Sequence, residues 1–163
     1  MLEMNEALIE QATLDDLPQL ADLLHELFSS EGDFVPDRQK QMRGLRLILE
    51  QPNRGRVFVY RWNGIILGMI NLLFTISTAE GGFVILIEDV IVRKEYRDRG
   101  VGSQLLEHAI KYGKQKDFLR MTLLTDRDNE EGQDFFKRHD FFASHMIPLR
   151  LSLTDEPATF PKD

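Results

Sequence analysis

Asn63-Gly64 stands between two runs rich in β-branched and aromatic residues, Arg56 to Trp62 and Ile65 to Ile76. An Asn-Gly pair suits the two left-handed positions of a tight hairpin turn, so the two runs are predicted to be antiparallel neighbours. A second turn signal, Gly81-Gly82, leads into Phe83 to Val92. That run is almost continuously apolar, which points to a strand covered on both faces.

The flanking segments supply the cover. Ala7 to Ala12 reads as a short first strand, and Thr13 as an N-cap with Asp15 and Asp16 in the first turn. Leu17, Leu20, Ala21, Leu24, Leu27 and Phe28 recur at helical spacing. Ser29 to Val35 reads as a loop with Gly32. Pro36 or Asp37 opens a second helix with Met42, Leu45, Ile48 and Leu49 on one side, stopping before Pro52. A third helix, Ser103 to Gln115, turns Leu105, Leu106, Ala109 and Ile110 inward. Arg120 to Thr125 is the next strand, Asn129 caps a short helix through Arg138, and Phe142 to Leu153 is a last strand. Thr154 to Asp163 carries two prolines and reads as a tail ordered only if something holds it. The expected fold class is α/β: a mixed, mostly antiparallel central sheet with helices on both faces, in the order β-α-α-β-β-β-α-β-α-β. The 163 residues suffice for one domain, 1–163, with a sizeable core.

There are no cysteines, which excludes disulfides, thiolate metal sites and a cysteine nucleophile and agrees with a cytoplasmic setting. His25, His108, His139 and His145 show no metal-ligand spacing, so no metal is expected; His108 is expected to be exposed in mid-helix. No apolar run reaches the ~20 residues of a membrane span, and Met1 to Glu6 lacks the basic start of a signal peptide. The formal net charge of −7 disfavours nucleic acid and suits a cationic small molecule.

Arg97-Asp98-Arg99-Gly100-Val101-Gly102 joins the apolar strand to the third helix. The first N–H groups of a helix lack intrahelical acceptors, and the helix dipole adds positive potential there. Glycines let an anion approach the main chain closely, so the turn is a candidate phosphate site. It is not a dinucleotide fingerprint, because Gly100-Val101-Gly102-Ser103-Gln104-Leu105 lacks the third glycine. It is not a Walker loop either, because no Lys-Ser or Lys-Thr follows. Just upstream, Glu88 and Asp89 interrupt the apolar strand. Adjacent strand residues point to opposite faces, so at least one carboxylate is expected in a poorly solvated place. Desolvation raises a carboxyl pKa, which prepares a general base. The alternative for Glu88 is a structural acid bonded to the backbone where strands splay. Asp89 reads as structural, capping a loop or pairing with an arginine. Glu26, Glu31 and Asp33 either attract a cation or form a solvated helix end.

The turn matches the pattern (Arg or Gln)-x-x-Gly-x-(Gly or Ala), and with its lead-in Val92 to Tyr96 and the element order it resembles the acetyl-coenzyme A loop of the GNAT superfamily of N-acetyltransferases. The resemblance is tight from Glu88 to Phe142 and loose before it. It implies acetyl-CoA as cosubstrate, with the pyrophosphate on Arg97, Asp98, Arg99, Gly100, Val101, Gly102 and Ser103, and the pantetheine arm on main-chain groups of Val90, Ile91 and Val92. Glu88 would be the general base, directly or through water; the Glu-Asp pair is similar to those of polyamine and glucosamine-phosphate acetyltransferases. Asn129 and Phe136 match the helix that follows the cofactor loop. Gly132 replaces a common alanine there, Phe136 replaces a frequent tyrosine acid, and Asp140 replaces the glycine before Phe141. With Phe136 unable to donate, solvent, His145 or Tyr96 is left to protonate the thiolate. The implied activity is transfer of acetyl to a primary amine of a small molecule. The alternatives are an acyl-CoA-binding regulatory module without turnover, motivated by Phe136, and acetylation of a protein N-terminus or lysine. A homodimer through the last strand and tail follows by the same analogy.

Overall fold

The computed structural model describes residues 6–30 and 37–155. By its contacts the chain divides into two units, 1–123 and 124–163. The first carries a five-stranded sheet in sequence order, with β1 (Leu8–Gln11), β2 (Gly55–Trp62), β3 (Ile65–Ser77), β4 (Gly82–Val92) and β5 (Met121–Leu123). The first four strands are antiparallel and β5 runs parallel to β4. The β2–β3 turn is made as the sequence requires, with Asn63 at φ 48° and Gly64 at φ 75° and Trp62 opposite Ile65.

Two helices cover one face of the sheet. Thr13 N–H donates to Asp16 Oδ2 at 2.9 Å, starting a single turn at Leu14–Asp16 that runs into α1 (Leu17–Ser30). Asp37 Oδ1 accepts from Lys40 N–H at 3.1 Å and caps α2 (Arg38–Leu49). Leu17, Leu20, Leu23 and Leu24 of α1 and Leu45 of α2 form a core with Val57, Val59, Ile66, Met69 and Ile91. The expected loop from Ser29 to Val35 begins later than predicted, because α1 continues through Ser30; residues 31–36, with Glu31 and Asp33, lie outside the described residues.

The opposite face carries α3 (Val101–Gln115). Gly68 makes the close approach: a Cβ there would stand 2.9 Å from the Ile91 carbonyl, 3.0 Å from Leu105 Cδ1 and 3.2 Å from Val101 Cγ1. Farther along, Phe58 meets His108 edge-on at 4.6 Å and Tyr112 at 5.2 Å. His108 is therefore half-buried, contrary to the expectation of an exposed mid-helix residue. Burial, helped by the Lys111 ammonium, pushes its imidazole below the ordinary histidine value.

In the second unit, Asn129 caps α4 (Glu130–Arg138), its Oδ1 accepting from Gly132 N–H at 3.0 Å. The expected last strand, Phe142 to Leu153, is not formed: these residues have no regular structure. The alternation of Leu149, Leu151 and Leu153 imitates a strand, but Pro148 removes a donor and no strand pairs with the run among the described residues. Of the tail, residues 156–163 lie outside the described residues. The observed fold is otherwise the mixed, mostly antiparallel sheet with helices on both faces.

Candidate functional site

β4 changes character half-way along. Its ladder with β5 runs from Ile85–Met121 to Ile87–Leu123 and stops there. Residues 89–92 stay paired with β3, Asp89 with Asn71 and Val92 with Gly68. Among the described residues no strand pairs with the other edge of residues 88–92, so that edge of β4 is open to a further extended chain.

The same place holds a β-bulge. Ile87 stands opposite Leu72 and Asp89 opposite Asn71, so Glu88 is an extra residue with no β3 partner of its own. Ile85 approaches Gly113 of α3, whereas Ile91 packs into the core under α1 and α2. Alternation counted forward from Ile85 and backward from Ile91 therefore puts both Glu88 and Asp89 on the α1/α2 face. This corrects the expectation that neighbouring carboxylates must point apart: the extra residue breaks the period of two. Glu88 is exposed, and the more sheltered member is Asp89, which is half-buried and accepts from Asn71 Nδ2 at 3.2 Å.

Beyond β4 the chain is tied down before it reaches the glycines. Arg93 N–H donates to the Leu67 carbonyl at 2.7 Å and its Nε to the Ile66 carbonyl at 2.6 Å. Lys94 N–H, at the start of a single helical turn Lys94–Tyr96, donates to Glu26 Oε1 of α1 at 2.8 Å. Arg97 Nε returns to the Val92 carbonyl at 3.1 Å, with Nη2 4.0 Å from the same Glu26 oxygen. The Arg99 guanidinium lies over the Tyr96 ring at 5.6 Å, and Tyr96 meets Trp62 edge-on. Asp98 (φ 60°) and Gly100 (φ 84°) are both left-handed, and Arg97, Asp98, Arg99 and Gly100 are exposed. The first intrahelical bond of α3 runs from Gln104 N–H to the Gly100 carbonyl at 3.0 Å. The N–H groups of Val101, Gly102 and Ser103 precede it, at the positive end of a helix of 15 residues.

The structure thus brings Glu88, Val90 to Val92 and Arg97 to Ser103 together in one unit. Asn129 and Phe136 belong to the other. There, a Cβ at Gly132 would press on the Asn129 amide that caps the helix. Phe136 packs against Phe135 and Phe141, with ring centroids 5.1 and 5.6 Å away. Two residues escaped the sequence reading as parts of this region. Glu26, read as either a cation attractor or a solvated helix end, is a ligand of the loop's lead-in. Asn71 was visible as a lone amide in an apolar run, but its position opposite the carboxylates is a matter of register.

Residues 17–141 match the model of the acetyltransferase (GNAT) family. The chain belongs to that family. It is 41% identical over 67 residues to streptothricin acetyltransferase A of Bacillus subtilis (strain 168), a match covering 41% of this chain and 39% of that protein. It is 26% identical over 140 residues to an uncharacterised N-acetyltransferase of Methanocaldococcus jannaschii, covering 85% of this chain and 62% of that one. The chain therefore spans less than two thirds of these curated relatives. An aminoglycoside N-acetyltransferase solved in complex with CoA superposes with a TM-score of 0.76 at 18% identity, over 91% of this chain and 96% of that one. At that identity the likeness is one of fold. GNAT proteins use acetyl-CoA, and no group of metal-ligating side chains occurs among the described residues of this one. No helix among those residues is long and apolar enough to cross a membrane.

Proposed function

We propose that this chain transfers the acetyl group of acetyl-CoA to a primary amine of a small molecule, with Glu88 as the general base. The observation that carries the proposal is the departure of β4 from β5 at Ile87, immediately before an exposed carboxylate on the bulge. An open strand edge accepts an extended amide-bearing arm as a further strand would be accepted. The turn beyond it suits a diphosphate: Asp98 and Gly100 are left-handed, a backbone form found in anion-binding nests, and the start of α3 adds positive potential. Acetyl-CoA supplies the activated acyl carbon that an amine attacks and the thiol that departs.

The chain's own residues then have separable tasks. The N–H groups of Val101, Gly102 and Ser103 hold diphosphate oxygens, and Arg97, tied to the Val92 carbonyl, keeps the loop against the strand end. Main-chain groups of Val90 to Val92 hold the arm, and one N–H there steadies the carbonyl oxygen as it gains charge. Glu88 takes the amine's proton, directly or through water. The leaving thiolate takes its proton from solvent or from Tyr96. The net charge of −7 favours a cationic acceptor, and the family includes relatives named for streptothricin and aminoglycosides.

The test is thiol release from acetyl-CoA across polyamines, aminoglycosides, amino acids and peptides, repeated with Glu88→Gln. The substitution should lower turnover ~10²–10⁴-fold with CoA affinity unchanged. A Gln variant of normal turnover removes Glu88 from the role, and no thiol release with any amine removes the activity.

A further inference from the structure

Asn71 is an amide in a place that the fold alone would fill with a hydrocarbon. It lies within β3, 3% exposed, on the sheet face that carries buried Val57, Met69 and Ile91. Its Nδ2 donates to Asp89 Oδ2 at 3.2 Å, while its Oδ1 is buried without a hydrogen-bond partner. The reverse amide orientation would set an oxygen against a carboxylate oxygen, so the donor belongs on the Asp89 side. A buried amide with half its capacity unused costs stability, and a shape-matched apolar side chain would not. Its position removes the paradox: it stands opposite Asp89, next to Glu88, the extra residue of the bulge.

We propose that Asn71 is a positioning residue, fixing the Asp89 carboxylate so that Asp89 and Glu88 together form an anionic seat for the acceptor's ammonium group. The inference rests on the acetyl-transfer reading for the side from which the amine arrives. Glu88, exposed at the bulge, meets the entering amine. Asp89, half-buried and bonded to the Asn71 amide at 3.2 Å, sets where the cation stops. The ligand class is a cationic amine with hydrogen-bonding N–H groups on the reacting nitrogen, not a neutral or anionic acceptor.

The test is Asn71→Leu, with Asn71→Val as a second apolar variant should the first misfold. Steady-state kinetics would use spermidine and kanamycin as acceptors, melting curves would follow stability, and calorimetric titration of the same two amines needs no turnover. The expected result is a rise in acceptor KM of tenfold or more, an unchanged KM for acetyl-CoA, and a melting temperature equal to or above that of the unaltered chain. A lowered melting temperature with unchanged acceptor KM marks Asn71 as merely structural and overturns the proposal, as does an unaltered KM in a stable variant. If the unaltered chain binds these amines but releases no thiol, acetyl transfer fails, while a tenfold loss of amine binding in Asn71→Leu still upholds the positioning role. If the unaltered chain binds neither amine, the anionic seat is wrong.

Discussion

Gly68→Ala tests how the packing of α3 fixes the turn proposed to hold CoA. Of the three atoms that a new Cβ would meet, Leu105 Cδ1 and Val101 Cγ1 are side-chain ends that can turn aside. The Ile91 carbonyl, at 2.9 Å, is main chain in a paired strand and cannot. Relief therefore comes from lifting the start of α3 or distorting β4, the two elements that flank the loop. Overpacking of this kind costs ~1–3 kcal/mol. The backbone at Gly68 is not left-handed, so alanine also returns ~0.4–1 kcal/mol by restricting the unfolded chain. The net loss is about 1–2 kcal/mol. For a chain of this size that lowers the melting temperature by ~2–8 °C. Gly44→Ala is the control with the opposite sign. Gly44 is exposed in α2 with nothing within 4 Å of its Cβ, and alanine there gains ~1 kcal/mol of helix propensity. Thermal melts and calorimetric titration of CoA read both variants. Gly68→Ala should melt lower and bind CoA several-fold more weakly, and Gly44→Ala should melt higher with unchanged affinity. A Gly68→Ala protein that melts at or above the unaltered chain and binds CoA equally would refute the argument.

Glu26→Ala removes the acceptor of Lys94 N–H and the partner of Arg97. At ~1 kcal/mol for such a bond, CoA affinity should fall ~5-fold, read by the same titration. His108 predicts a pH dependence. Its imidazole is held below the ordinary value by burial and by Lys111, so the unfolded chain takes up the proton first. This contribution is fully present above about pH 6.5 and is lost as pH falls through that value toward the lower folded one. The denaturant midpoint should drop on the acid side, and His108→Phe should flatten that part of the profile.

Much of the fold was readable because local chemistry forces it. Asn63-Gly64 admits few turns other than a hairpin, and Asp37 and Asn129 cap the helices that their position suggests. The bulge was not readable. Register shows in a sequence when one face of a strand is polar, and β4 is apolar on both sides, so a slip leaves no trace in its alternation. Glu88 and Asp89 consequently read as pointing apart when alternation around the bulge puts both on the α1/α2 face. The run from Phe142 to Leu153 erred in the other direction: its alternation is real, but a strand is a relation to a neighbour. Glu26 was hidden for a related reason, since its partner lies on a distant stretch of the chain.

The central claim is that amides at the start of α3 grip the diphosphate of CoA. Amide NMR spectra recorded during a CoA titration test it most directly. The N–H signals of Val101, Gly102 and Ser103 should shift together and saturate with the calorimetric affinity, while amides of α2 stay in place. Binding of CoA that leaves those three signals unmoved would contradict the account.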